Sequence, residues 1–232
     1  MTAKVTTAQK LTEEAHKNKT ETIIPAEYQK YTKGFSKRES QCFPPPRPWD
    51  HAIDFKPDAP ASIDCKVYPL TLGEQEAMKT FLNEHLAKGY ICKSNSPYAL
   101  PFFFIKKKDG KLRPVQDYQK INKWMVKNKY PLPLISELID KVWDTKLFTK
   151  FDIRWGYNNV RIKDRDQGKA AFKTNQGLFE PLIMFFGLTN SPSTFQTMMN
   201  TIFREEVDSG EVVIYMDDIL IATINDLQVH RR

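Results

Sequence analysis

The sequence predicts an α+β protein, and three observations carry that reading. Short runs of β-branched and aromatic residues and amphipathic helical stretches follow one another without the regular βαβ alternation of a parallel doubly wound sheet. No period of about 20 to 50 residues recurs, which excludes a solenoid. With 232 residues, 41% of them hydrophobic, the chain can bury a real core in one large domain or two small ones.

In chain order, residues 1 to 45 are mostly polar, rich in Lys and Glu, and poor in periodic apolar positions, so they read as a flexible or loosely helical leader. "FPPPRPWDHAIDFKPDAP" follows, with a PxxP pattern from Pro45 to Pro48; it reads as a stiff connector or, alternatively, a docking ligand. The stretch "TLGE" opens a helix: Thr71 caps it, Glu74 completes a capping box, and Met78, Phe81, Leu82 and Leu86 recur at helical spacing until Gly89 ends it. "ALPFFFIKKKDGKLRPVQDY" then reads as a hairpin turning at Lys-Asp-Gly-Lys, its charged tip suited to an anion. A second helix begins around Pro133, with Leu134, Leu138, Ile139 and Val142 on one face. In "KLFTKFDIR", Leu147, Thr149, Phe151 and Ile153 alternate with Phe148, Lys150 and Asp152, so a strand here puts Asp152 on the less apolar face. Residues 191 to 203 form a helix with Ser191 as cap and Pro192 in its first turn, and Asp208-Ser209-Gly210 reads as a helix end and turn. "VVIYMDDILIAT" closes the series: two apolar strands, Val212 to Met216 and Ile219 to Ala222, joined by Asp217 and Asp218.

Composition narrows the function. No stretch approaches the roughly 20 apolar residues of a membrane span, and the N-terminus lacks a secretory core, so the chain is expected inside a cell, in cytoplasm or nucleus. Cys42, Cys65 and Cys92 match neither zinc-ligand spacing nor a disulfide framework and read as free thiols. The four histidines lie far apart, and neither a P-loop nor an HExxH motif occurs. The net charge is +7, and residues 105 to 129 alone carry nine Lys or Arg against two Asp. Such a run is a solvated face or a binding surface; its interleaving with Tyr118, Trp124 and Tyr130 favours nucleic acid, whose phosphates meet the cations and whose bases stack on the rings.

Three acids stand out. Asp is at home in a hairpin turn, so Asp217 and Asp218 could do no more than close one. Paired carboxylates at a rigid tip also suit Mg²⁺, a hard cation. If the strand holding Asp152 neighboured the hairpin in one sheet, all three would converge as a two-metal site for in-line phosphoryl transfer. Spacing alone leaves that open.

"YMDD" at 215 to 218, followed by "ILIAT", resembles the metal-binding hairpin of reverse transcriptases. "YALPFFFIKKKDGKLRPVQDYQKIN", "YPLPLISELID", "FTKFDIRWGYNNVRIK", "AAFKTNQGLFEPLIMFFGLTNSPSTFQTMMN" and "VVIYMDDILIAT" occur in the order and approximate spacing of gypsy-type LTR retrotransposon polymerases. The resemblance covers roughly residues 24 to 230. It implies a right-hand polymerase fold over residues 46 to 232, with fingers mainly at about 60–130 and 160–188 and palm mainly at about 131–159 and 189–232. It implies RNA-directed DNA polymerisation on a primed RNA or DNA template from deoxynucleoside triphosphates, with two Mg²⁺ ions or Mn²⁺ in their place.

Carried onto this sequence, the resemblance makes Asp152 and Asp217 the principal metal ligands, supported by Asp218. Lys107 and Arg113 fall where the family grips the triphosphate, and Lys106, Lys108 and Lys111 beside them face nucleic acid. Tyr157 falls at the steric gate against a ribose 2′-OH, its plain alternative being a core tyrosine. Phe186 and Gly187 fall against nucleotide and template, and Gln196 at nucleic acid, with core packing as the alternative for each. The chain departs from the family pattern at Phe185, where Pro is commoner, and around Trp155 and Asn159. Ending at Arg232, it is expected to be truncated before primer grip, thumb, connection and RNase H. A nucleic-acid-binding remnant is the rival reading. An aspartic protease at Asp208-Ser209-Gly210 is disfavoured, for no apolar strand precedes the triplet.

Overall fold

The computed structural model describes residues 24–224 and 226–231. The chain divides into two compact units, residues 1–41 and 42–232. Of the first, 3₁₀ turns span Ala26–Phe35 and Glu39–Gln41, neither burying a residue. Most of the expected leader, residues 1 to 23, lies outside the described residues.

The second unit mixes helices with two sheets. The larger sheet has the order β1-β3-β6-β7-β2, with β4 paired to the far half of β3. Its strands are β1 (Ile63–Asp64), β2 (Ile91–Lys93), β3 (Tyr98–Lys106), β4 (Leu112–Gln116), β6 (Phe172–Thr174) and β7 (Gly177–Pro181). β1 and β6 run parallel to β3, and the remaining pairs are antiparallel. Helix α1 (Leu72–Ala87) packs Met78, Phe81 and Leu82 into this sheet's core with Leu100, Phe102 and Phe172. Its capping box is formed as expected: Glu74 N–H donates to Thr71 Oγ1, and Thr71 N–H to Glu74 Oε2. Gly89 supplies the positive φ, +68°, that ends the helix. Leu86, expected on the buried face, is 38% exposed, and His85 is buried in its place against Phe81. The short helix α2 (Gln119–Asn122) follows β4 and buries Ile121.

The smaller sheet is antiparallel, ordered β5-β9-β8, from β5 (Leu147–Asp152), β8 (Val212–Tyr215) and β9 (Asp218–Thr223). Helix α4 (Ser191–Ile202) covers one face, packing Phe195, Met198 and Met199 on Val212, Ile214 and Ile219. Helix α3 (Ile135–Val142) starts after Leu134 and buries no residue fully, and Ile135 and Ile139 are exposed. The α4 cap is Asn190 rather than Ser191, with Pro192 in the first turn. Helix α5 (Arg204–Asp208) then ends at a turn with Gly210 at φ +80°, so Asp208-Ser209-Gly210 is the expected helix end. The final helix is α6 (Leu227–His230). All three cysteines are free thiols.

Candidate active site

In the smaller sheet Asp152, the last residue of β5, pairs directly with Asp218, the first of β9, so their side chains leave the same face. Val213, Tyr215, Leu220 and Lys150 share that face, while Val212, Ile214, Ile219 and Ile221 face α4. Asp217 lies in the turn between β8 and β9, and its carbonyl accepts the Ile153 N–H at 2.9 Å, pinning the turn to the end of β5. The 65-residue gap between Asp152 and Asp217 is therefore closed by one ladder.

The turn itself sits one residue earlier than expected. Tyr215 pairs with Asp218, leaving Met216 and Asp217 as the turn residues, and Met216 takes the left-handed region at φ +59°. An Asp-Asp turn would have put both acids off the ladder; the observed register keeps Asp218 in the sheet, opposite Asp152. Left-handed backbone costs a residue with a Cβ about 1–2 kcal/mol and persists only where the surroundings enforce it. Gln196, on α4, does so: its Oε1 accepts the Met216 N–H at 2.9 Å and its Nε2 donates to the Ile214 carbonyl at 3.2 Å and to Asn200 Oδ1 at 2.9 Å. Gln196 was expected at nucleic acid, but it is 0% exposed and its amide is committed inward, so it is a clamp on the hairpin.

Among the described residues, no three His, Cys, Asp or Glu side chains gather closely enough to hold an ion. One of the acids is engaged elsewhere: Asp218 Oδ1 lies 2.8 Å from Lys150 Nζ. Lys150 stands two residues before Asp152 on the same face, and its ammonium is held above the usual lysine range by Asp218 first and by Asp152 and Asp217 more weakly. Asp152 and Asp217 remain, and one or two carboxylates with substrate phosphates are what Mg²⁺ ordinarily takes, so the donor set fits the ion.

Behind the acids the chain turns sharply. Trp155 adopts φ +55°, and Gly156–Asn159 forms a 3₁₀ turn. A Cβ on Gly156 would lie 2.9 Å from Phe195 Cζ and 3.3 Å from Asp217 Cβ, so only glycine lets the turn approach this closely. Tyr157 is buried, its ring 5.3 Å from Phe195 and 4.7 Å from Phe186. Burial, then the charge of Asp217 and neighbouring Tyr215, push its hydroxyl up to about 12, so it stays protonated. Phe186 is 46% exposed and carries the Arg113 guanidinium over its ring at 4.9 Å. A continuous run of contacts thus joins Arg113, Phe186, Tyr157 and Phe195, the last two rings meeting edge to face. Gly187, at φ +106°, packs against Tyr118 and the Gln116 carbonyl, and its own carbonyl accepts from Asn122 Nδ2 at 2.8 Å.

The basic hairpin is β3–β4. Its tip closes by Lys107 N–H to the Lys111 carbonyl at 2.8 Å and Gly110 N–H to the Lys107 carbonyl, with Gly110 at φ +79°. Lys106, Lys107, Lys108, Lys111 and Arg113 are all exposed. Arg113, on β4, therefore joins the run of aromatic contacts, whereas the four lysines mark the tip. Two residues escaped the sequence reading. Lys150 was visible as the second polar residue on the Asp152 face, and Gly156 as a glycine next to a candidate pocket tyrosine; neither was assigned a role.

A family model described as "Reverse transcriptase (RNA-dependent DNA polymerase)" matches residues 105–232, more than half of the chain. The chain is 43% identical over 154 residues to the Transposon Tf2-3 polyprotein of Schizosaccharomyces pombe, a match spanning 66% of this chain and 12% of that polyprotein. It is 42% identical over the same length to the Transposon Tf2-7 polyprotein of that organism. The chain thus aligns with a small part of these relatives' length. The matched residues contain the β3–β4 tip, β5, the run of aromatic contacts and the Asp217 hairpin, and the chain belongs to the reverse transcriptase family.

Proposed function

We propose that this chain catalyses template-directed DNA synthesis on a primed RNA or DNA template, transferring deoxynucleotides from their triphosphates. The observation that carries the reading is the ladder that sets Asp152 opposite Asp218 with Asp217 in the adjoining turn. Asp152 and Asp217 are the residues that would hold Mg²⁺. When bound, the ions neutralise charge on the attacking and leaving oxygens of an in-line transfer.

The chain's own residues position the reactants, which for phosphoryl transfer is most of catalysis. The β3–β4 hairpin, with Lys107 at its tip and Arg113 on its second strand, takes the triphosphate: a flexible ammonium and a forked guanidinium both suit phosphate oxygens. Stacking on Phe186 restricts where Arg113 points. Tyr157, uncharged and packed between Phe186 and Phe195, would lie below the sugar and exclude a 2′-OH by bulk. Lys106, Lys108 and Lys111 attract the nucleic-acid backbone by charge, in a salt-sensitive way. In this reading the larger sheet is the fingers and the smaller one with α4 the palm, over the spans the sequence resemblance implied.

Primer extension on an RNA template, in Mg²⁺ or Mn²⁺, tests the reading. Extension by the chain and none by Asp217→Asn is expected. Equal extension by both would overturn the assignment of the acids, and salt-sensitive duplex binding without extension by either would leave a nucleic-acid-binding remnant.

A further inference from the structure

We infer that Lys150 is a built-in counter-cation of the acid cluster, competing with divalent metal for Asp218. The inference rests on the reading of Asp152 and Asp217 as metal ligands and adds a residue that reading does not use.

Three carboxylates from two paired strand ends and one turn repel each other unless a cation lies among them. Strand alternation puts Lys150 on the face of Asp152, and the ladder puts Asp218 on that face too. The ammonium meets Asp218 Oδ1 at 2.8 Å, and both side chains are more than half exposed, at 61% and 52%. The ion pair thus offsets part of the negative charge that Asp152, Asp217 and Asp218 bring to one sheet edge. An arriving divalent ion carries twice the charge of the ammonium and repels it. Because Lys150 is exposed and its stem flexible, it can swing into water when the ion enters and return when it leaves. Metal entry is therefore an exchange in which Lys150 releases Asp218.

Direct Mn²⁺ binding to the whole chain, followed by electron paramagnetic resonance or calorimetry at fixed pH and salt, reads this exchange. Lys150→Met, which keeps the stem and removes the charge, should bind Mn²⁺ about two- to fivefold tighter, the range that an exposed ion pair spans. Lys150→Arg should stay near the parent chain. In an Asp218→Asn background the Lys150→Met gain should shrink, since the competition runs through Asp218. Unchanged or weaker Mn²⁺ binding by Lys150→Met, while Asp152→Asn and Asp217→Asn still abolish it, overturns the counter-cation alone. Mn²⁺ binding insensitive to Asp152→Asn and Asp217→Asn overturns the metal reading beneath it. Circular dichroism and urea midpoints establish that each variant is folded.

Discussion

Gln196→Leu is the substitution that best separates a clamp from a contact residue. The side chain is 0% exposed, accepts the Met216 N–H at 2.9 Å and donates to the Ile214 carbonyl at 3.2 Å. Leucine fills a similar volume but leaves a backbone donor and a backbone acceptor of the hairpin without these partners, together with Asn200 Oδ1. A buried group deprived of its hydrogen bond costs about 1–3 kcal/mol, so with some relaxation the total should be about 2–4 kcal/mol. Part of the response should be local: without the clamp, Met216 can leave the left-handed region, taking Asp217 with it. Urea unfolding at unchanged slope gives the stability term, and Mn²⁺ binding gives the displacement of Asp217. Thr201→Ala, on the exposed side of the same helix, controls for helix propensity. A loss below about 0.5 kcal/mol with undiminished Mn²⁺ binding would refute the clamp.

Other predictions follow from single contacts. Gly156→Ala places a Cβ 2.9 Å from the ring of Phe195, which is itself fully buried, and should cost about 1–3 kcal/mol as overpacking, with slower turnover; an unchanged urea midpoint would contradict it. His51 is buried and pushed by that burial from 6.5 to about 4, so the folded chain keeps it neutral where the unfolded chain takes up a proton. Its stability contribution is intact above pH 6.5 and is lost as pH falls toward 4, by about 3 kcal/mol if nothing else titrates. His85, lowered for the same reason, adds to the slope, and His51→Gln should flatten the fall in urea midpoint; a parallel profile would refute the assignment. Lys107→Ala or Arg113→Ala should weaken nucleotide binding about ten- to a hundredfold and duplex binding far less, each charge-assisted contact being worth about 1.5–3 kcal/mol; equal losses would sink the triphosphate role. Tyr157→Val should raise ribonucleotide incorporation relative to deoxynucleotide, and an unchanged ratio would return Tyr157 to the core.

What the sequence revealed followed from local chemistry. The α1 capping box needs only Thr71 and Glu74 three residues apart, and Gly89 and Gly110 mark turns by themselves. Period-2 alternation put Asp152 and Lys150 on one face of β5. What escaped depends on long-range packing. The one-residue shift of the β8–β9 turn is set by Gln196, twenty positions before Met216, and Asp-Asp looks a better turn than Met-Asp by local preference alone. The ion pair between Lys150 and Asp218 needs the β5–β9 register, which no spacing rule supplies. His85 displaced Leu86 from the core because its ring fits against Phe81, at 4.0 Å, a matter of shape. Gly156 was overlooked because its role lies in the space Phe195 and Asp217 leave.

If the β5–β9 ladder and its adjoining turn bring Asp152 and Asp217 to one metal site, an ion should be held between their carboxylates. Anomalous scattering from crystals of the chain soaked with Mn²⁺ and a deoxynucleoside triphosphate measures it directly. A peak about 2 Å from carboxylate oxygens of both Asp152 and Asp217 is expected. Ordered Mn²⁺ elsewhere on the chain, with none between those two carboxylates, would contradict it.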